Sequence, residues 1–457
     1  MQDARGCPEV DDSSDEPPLL DRNGRVARAT PNEPTEPDEE PPNWSPHPAW
    51  SDWRWQMRNR IRSLPELGRR FPSLPLSQGM AAAAARFPLA ITPYYAGLIR
   101  TLDGSDPVFQ LCVPQRQELF DPPCLHDDPL GEDEDMPVPG MVHRYRDRAL
   151  LIATTTCAAY CRHCTRKRVA GHRETCISSI RLGQVVEYLS VHPEIRDVVV
   201  SGGDPFTMAT GALDKVLTAV RSAPSVEIVR VGTRTPVVMP MRITDELVQM
   251  LRRHHPLFVN THFNHPAELT PEAQEACLRL ADGGVPVGNQ TVLLRGVNDD
   301  ARLLEDLFRK LLRVRVRPYY LFQCDLVRGV EHFRTPLSRG IEIMEYLRGR
   351  LSGLGIPAFV VDAPQGGGKI PVLPNYVVSA SPTHTVLRNY EGALVSYPEP
   401  GDLSPTVEWA AERSSEPGVW ELASGRQTRI QPKQAIRRTR RKAPTPALDA
   451  LQLDMRF

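Results

Sequence analysis

The stretch Arg148-Ala-Leu-Leu-Ile-Ala-Thr-Thr-Thr-Cys157-Ala-Ala-Tyr-Cys161-Arg-His-Cys164 runs from an apolar strand straight into three closely spaced cysteines. Residues 150–154 are apolar and β-prone, which predicts a buried strand. The C-x3-C-x2-C spacing follows at once. Three thiolates on one tight loop can hold three irons of a [4Fe–4S] cluster and leave the fourth iron open to a small molecule. Zinc is the rival metal, but structural zinc takes four ligands, commonly in C-x2-C pairs. His163 is a conceivable fourth ligand, although its neighbour Cys164 already occupies that turn. A purely structural trio of cysteines is the remaining alternative.

Outward from this stretch a rhythm appears. Short β-branched or apolar runs recur roughly every thirty residues, at 150–154, 197–201, 227–231, 257–261, 285–293, 315–322 and 357–361. Amphipathic helical patterns lie between them, at 213–220, 247–253, 273–280, 303–312 and 341–351. Strands alternating with helices predict parallel βα units. Near-continuous apolar strands suit a sheet covered on both faces. The fold class is therefore α/β, a partial TIM-type (β/α) barrel, with a doubly wound open sheet as competitor. In the barrel, polar residues just after the strands line one mouth. Such residues recur: the cysteine loop, Ser201 to Asp204, Arg234, His262, Gln290, Cys324 with Asp325, and Asp362 with the loop to Lys369.

The flanks read differently. Residues 1–43 are rich in Pro, Asp and Glu, the composition of a disordered arm. Residues 44–140 form a helical region, in which Trp53, Met57 and Ile61 recur at helical spacing and alanines follow Met80. Residues 141–375 are the barrel core, and 376–457 an irregular extension with a basic tail. That tail, 426–442, reads as solvated; no aromatics are interleaved to stack on bases, so no nucleic-acid partner is expected. The 457 residues carry a net charge of −1, which gives no pull toward nucleic acid or anionic membrane. No apolar run is long enough for a bilayer, and the N-terminus lacks a signal-peptide layout. A cytoplasmic location is expected. The nine cysteines are odd in number, which argues against a disulfide framework.

The cysteine loop resembles that of the radical S-adenosylmethionine (SAM) superfamily. Tyr160-Cys-Arg-His-Cys-Thr-Arg-Lys-Arg168 resembles one branch, the lysine 2,3-aminomutase family. The resemblance continues through Ser201-Gly-Gly-Asp204, Arg234-Thr-Pro236, Asn260-Thr-His-Phe-Asn-His-Pro266, Gly288-Asn-Gln290 and Leu294-Arg-Gly-Val-Asn-Asp299. It then runs through Arg317-Pro-Tyr-Tyr320, Gln323-Cys-Asp325, Glu331-His-Phe-Arg334 and Gly366-Gly-Gly-Lys369.

The resemblance implies a radical SAM enzyme that also uses pyridoxal 5′-phosphate (PLP). Cys157, Cys161 and Cys164 would hold the cluster, and Ser201, Asp204, His262 and Gln290 would belong to the SAM pocket. Lys369 matches the lysine that binds PLP as a Schiff base; Arg144, Tyr145 and Arg148 match the family's phosphate-binding stretch. Arg166 matches the arginine that grips the substrate carboxylate, for which a planar fork is suited. Asp325 and Asp362 both end apolar strands. Buried carboxylates need partners, and internal ion pairs with Arg317 or Arg334 would supply them. In the family's lysine enzymes the matching pair binds the distal ammonium of the substrate.

Two departures stand out. The family's lysine enzymes carry a zinc-binding cysteine cluster near the C-terminus and a further cysteine after Val-Asn-Asp. Here no cysteine follows Cys324 and Asp300 follows Asp299, so no zinc is expected. Phe322 stands where a tyrosine is expected. The implied activity is movement of the α-amino group of L-lysine to C3, giving β-lysine. The alternative is an arginine 2,3-aminomutase of an antibiotic pathway. A radical SAM enzyme without PLP, or an iron–sulfur sensor without catalysis, accounts for fewer motifs. The expected partners are an amino-acid substrate, a one-electron reductant such as flavodoxin or ferredoxin, and further copies of the chain.

Overall fold

The computed structural model describes residues 47–400 except Gln365 and Pro382. The acidic arm and the basic tail of the sequence reading lie outside the described residues. Five short helices come first: α1 (Trp53–Arg58), α2 (Leu64–Arg70), α3 (Gln78–Arg86), α4 (Pro93–Ala96) and α5 (Pro107–Cys112). Each starts on a polar side chain that accepts a backbone N–H of the first turn, from Asp52, Ser63, Ser77, Thr92 and Asp106. Ile61, expected to continue α1, instead pairs with Ile91 as an isolated bridge beyond the helix end.

A nine-stranded sheet follows in simple sequence order. Its strands are β1 (Met141–Tyr145), β2 (Arg148–Thr154), β3 (Asp197–Gly202), β4 (Ile228–Gly232), β5 (Leu257–Thr261), β6 (Val287–Leu293), β7 (Val316–Gln323), β8 (Ala358–Ala363) and β9 (Gly368–Pro371). Strands β2 to β8 are parallel, while β1 and β9 flank them antiparallel. The crossovers carry α6 (Ser179–Ser190), α7 (Thr210–Arg221), α8 (Thr235–Val238), α9 (Asp245–Arg252), α10 (Pro271–Asp282), α11 (Ala301–Arg313) and α12 (Leu337–Leu347). Helix α6 and the two antiparallel flanking strands lie outside the runs that the sequence reading marks.

Alternation along the strands settles which face does what. Val198, Val200, Val229, Val231 and Val259 are fully buried in the main core with the helices. Their neighbours Asp197, Val199, Ser201, Arg230, Gly232 and Asn260 line a cavity of ≈ 700 Å³. The expectation of a sheet covered on both faces is corrected here: helices cover one face, and the other encloses the cavity. Because residues from all nine strands line that cavity, the sheet must curl around it. The first and last strands are not ladder partners. They meet through a side chain, as the Lys369 N–H donates to Tyr145 Oη at 2.9 Å. The result is a partial barrel.

Asp300, where the resemblance placed a cysteine, caps α11 by accepting the N–H groups of Arg302 and Leu303 at 2.8 and 2.9 Å. After the barrel, β10 (Val377–Ala380), β11 (His384–Arg388) and β12 (Leu394–Pro398) form a separate antiparallel sheet. This part of the extension is therefore regular rather than irregular. Its strands are largely exposed, so no alternating burial marks them in the sequence.

Candidate active site

The three cysteines sit on the loop leaving β2, and their surroundings hold that loop in place. Gly203 N–H donates to the Thr154 carbonyl at 2.6 Å and Asp204 N–H to the Thr156 carbonyl at 2.7 Å. Gly202 has φ +125°, and a Cβ on Gly203 would lie 2.3 Å from the Thr156 oxygen. The Gly-Gly pair is thus required by the crossing of β3's end under the cysteine loop. Arg162, between Cys161 and His163, is fully buried and forms a bidentate pair with Glu118 at 2.8 and 2.6 Å. Arg60 donates to the Cys157 carbonyl at 2.6 Å.

Burial pushes the Cys157 and Cys164 thiols up. The Cys157 thiol is held well above its usual range by burial, then by Asp204 and the other two cysteines, and Cys164 is pushed up to about 11 by burial and Cys161. Thiols held in the neutral form by burial need a cation before they ionise. That donor set fits a [4Fe–4S] cluster. No three His, Cys, Asp or Glu side chains among the described residues converge on a single ion position. A cluster does not ask for that, because each thiolate takes its own iron.

Arg234 connects this loop to the barrel interior. Its Nη1 donates to Cys161 Sγ at 2.9 Å, and its Nη2 to Glu268 Oε1 at 2.5 Å and Tyr95 Oη at 2.8 Å. Glu268 is fully buried and also accepts the N–H groups of Asn264 and His265, at 2.6 and 3.0 Å. Asp204 accepts from Thr233 Oγ1 at 2.6 Å, Arg234 N at 2.8 Å and Phe206 N at 3.0 Å. Burial raises its pKa against those bonds. Ser201, His262 and Gln290 line the cavity; Asp204 is not among the lining residues. His262 Nδ1 lies 3.1 Å from the Gln290 carbonyl, and burial with Arg234 nearby lowers its pKa to about 4, so the ring is neutral.

Across the cavity, the β1–β2 hairpin faces β9. Arg144 Nε donates to Asp135 at 3.0 Å, the Arg148 guanidinium lies 4.1 Å over the Tyr145 ring, and Tyr145 Oη takes the Lys369 N–H. Lys369 Nζ donates to Asp362 Oδ2 at 2.5 Å and stands 4.6 Å from the Phe322 ring centroid. Gly368, at φ +87°, brings that lysine close against Tyr145. Asp325 accepts from Thr165 Oγ1 at 2.6 Å. Neither aspartate pairs with Arg317 or Arg334: Arg334 is held by Glu331 at 2.6 Å. Burial, then the Asp362 charge, raises the Asp325 pKa to about 6. Arg144, Tyr145, Arg148, Arg166, Asp362 and Lys369 all line the same cavity. A chamber with an amine at its wall and several guanidiniums around it fits an aldehyde-bearing phosphate such as PLP.

A family model described as lysine-2,3-aminomutase matches residues 344–453. An L-lysine 2,3-aminomutase of Clostridium subterminale is 51% identical over 357 residues, 78% of this chain and 86% of that protein. One of Fusobacterium nucleatum is 46% identical over 86% of this chain and 94% of its own. The chain belongs to the lysine 2,3-aminomutase family. A glutamate 2,3-aminomutase of Clostridioides difficile is 43% identical over 76% of this chain and 82% of its own. Among solved structures, a radical SAM methyltransferase from Sphaerobacter thermophilus gives a TM-score of 0.38 at 20% identity, over 48% of this chain and 68% of that one.

In this aminomutase-family chain, three residues of the constellation carried no assignment from sequence. Thr165 lies inside a quoted motif, but nothing local says that its hydroxyl reaches Asp325, 160 residues on. Glu268 follows the motif ending at Pro266 and looks like a surface acid until its burial is seen. Glu132 sits in an acidic run, and only the fold turns it onto Arg166.

Proposed function

We propose that this chain is a radical SAM and PLP-dependent 2,3-aminomutase that converts L-lysine to β-lysine. One observation carries the reading. A single cavity on the concave face of the sheet gathers Lys369, the carboxylate of Asp362, the guanidinium of Arg166 and the hairpin cations Arg144 and Arg148. Such a chamber offers an anchor for each end of a dibasic amino acid and a nucleophilic amine between them.

The proposed roles follow from chemistry. Cys157, Cys161 and Cys164 would hold three of the four irons of the [4Fe–4S] cluster, and Ser201, Asp204, His262 and Gln290 would hold SAM. Arg144, Tyr145 and Arg148 would hold the PLP phosphate, and Lys369 is the amine that would hold its aldehyde end. When bound, the cluster with SAM supplies a hydrogen-abstracting radical, and PLP supplies the π-system through which nitrogen migrates. Arg166 takes the substrate carboxylate through its planar fork. Asp325 and Asp362 take the distal ammonium, and two carboxylates there disfavour an anionic side chain such as glutamate's.

A flavodoxin or ferredoxin is the proposed electron source, and the cytoplasm the proposed location. Among the described residues, no helix is long and apolar enough to cross a membrane. A homo-oligomer is supported by the exposed side chains of the small sheet, with Leu394 64% and Tyr397 57% exposed. The proposed divisions at 43, 140 and 375 keep the barrel with its hairpin and lysine strand in one body.

The deciding experiment is anaerobic. Protein reconstituted with iron, sulfide and PLP receives SAM, dithionite and either lysine, arginine or glutamate, and the products are analysed by mass spectrometry. β-Lysine is expected. β-Arginine would keep the mechanism and reassign the substrate, a possibility motivated by Phe322 beside the Asp362–Lys369 pair. SAM cleavage without any β-isomer would overturn the reading. In a parallel sample, Lys369→Ala is expected to assemble the cluster and lose the bound-PLP absorbance band.

A further inference from the structure

The loop carrying Asp128 to Asp135 packs against three arginines. Glu132 accepts Arg166 Nη2 at 2.6 Å on Oε1, and Arg166 Nε at 3.1 and 3.0 Å on its two oxygens. Arg168 Nη2 reaches the same carboxylate at 3.3 Å, along with Asp133 at 3.2 Å and Asp128 at 3.3 Å. Three residues further on, Asp135 holds Arg144 Nε at 3.0 Å while the Leu130 carbonyl takes Arg144 Nη2 at 2.6 Å. The Glu132 and Asp135 side chains are only 4% and 5% exposed. Burial alone would favour a neutral Glu132, yet Arg166, Arg168 and Arg144 together bring its pKa down to about 2.

The geometry is directional. Glu132 occupies the Nε–Nη2 edge of the Arg166 guanidinium, and both residues line the cavity. Among the described residues, Nη1 of Arg166 has no hydrogen-bond partner, and the side chain keeps 19% exposure. A guanidinium gripped on one edge presents its other end in a fixed plane. Without that grip, ordering the long side chain on binding would cost rotamer entropy.

We propose that Glu132 is a positioning residue, which fixes the Arg166 guanidinium so that its Nη1 end receives the α-carboxylate of an amino-acid substrate. The proposal rests on the role given to Arg166 under the proposed function. Glu132 does not touch substrate; it acts through Arg166.

The test compares the cluster- and PLP-loaded wild type with Glu132→Gln, Arg166→Met and the double variant. The lysine dissociation constant is read from the lysine-induced change in the PLP absorbance band, and KM and kcat from β-lysine formation. Glu132→Gln is expected to raise the lysine dissociation constant and KM about tenfold, roughly one lost charge-assisted contact, with kcat within about threefold. Iron content and PLP affinity should match wild type. In the Arg166→Met background the second substitution should add nothing, since its effect runs through a side chain already removed. An unchanged dissociation constant in Glu132→Gln, or additive losses in the double variant, would overturn the proposal. Should Glu132→Gln fail to load cluster and PLP, Glu132→Asp keeps the charge at shorter reach. A raised KM with normal PLP binding is then expected, and a wild-type KM would be fatal. A wild type that neither isomerises lysine, arginine or glutamate nor changes its absorbance with them defeats the functional reading itself, and this proposal with it. That pattern is distinct from an active wild type indifferent to Glu132.

Discussion

Lys369 and Asp362 are directly opposed partners on the antiparallel β8–β9 pair, and the lysine Nζ donates to the aspartate Oδ2 at 2.5 Å. The aspartate side chain is 6% exposed, so the lysine ammonium is its compensating charge in the free protein. If Lys369 takes the PLP aldehyde as proposed, Asp362 needs another cation. A substrate with a distal ammonium provides one. Asp362→Asn should therefore raise the KM for lysine by about ten- to a hundredfold, the range for a lost hydrogen bond to a charged group. PLP loading, followed by its absorbance, should survive. Wild-type lysine affinity in this variant would remove Asp362 from the substrate site.

Asp325 adds a pH dependence. Burial and the Asp362 charge raise its pKa from 3.8 to about 6. The native state thus holds this proton more tightly than the unfolded chain does. Stability from this group is present below about pH 4 and is lost as pH climbs through about 6. A substrate ammonium favours the ionised form, so lysine affinity should strengthen as pH rises through about 6. Asp325→Asn should flatten that segment of the affinity profile. An inflection that persists in the variant would assign the titration to another group.

Much of this arrangement was legible because its signals are local. The βα rhythm depends on the burial of alternate valines such as Val198, Val200, Val229 and Val231, and buried strands advertise themselves as apolar runs. The cysteine loop and the Gly-Gly-Gly-Lys loop are contiguous motifs. What stayed hidden is relational. Tyr145 and Lys369 are 224 residues apart, and their contact exists only because the sheet curls. Glu132 looks like its acidic neighbours until the fold buries it against Arg166. Helix α6 carries Leu182, Val185 and Leu189 at helical spacing, but with only three of its twelve residues buried the stripe is a weak signal.

Glu268 offers a test of the buried network beneath the cysteine loop. Its carboxylate is fully buried and takes Arg234 and Tyr95, at 2.5 and 2.6 Å. Arg234→Gln would leave that carboxylate without its cation, at a cost of about 3–5 kcal/mol. Adding Glu268→Gln removes the orphaned charge. The thermal midpoint should fall in the single variant and recover in part in the double. Independent, additive losses would show that the pair is not energetically coupled.

Gly203 provides the sharpest steric prediction. A Cβ there would meet the Thr156 oxygen at 2.3 Å and the Thr155 and Thr156 carbonyl carbons at 2.7 Å, all backbone atoms. Backbone cannot rotate out of the way as a side chain can, and Thr156 immediately precedes Cys157. Gly203→Ala must therefore push the cysteine loop aside, at a cost of about 1–3 kcal/mol or more. The expected outcome is a lower thermal midpoint together with reduced iron after reconstitution. Gly211, inside α7, has nothing within 4 Å of its own hypothetical Cβ. Gly211→Ala should instead stabilise by about 0.5–1 kcal/mol, since alanine loses less backbone freedom in a helix. Equal iron content and melting behaviour in the two variants would mean that the crossing of β3 beneath the cysteine loop is looser than the 2.6 Å bond from Gly203 N–H to the Thr154 carbonyl requires.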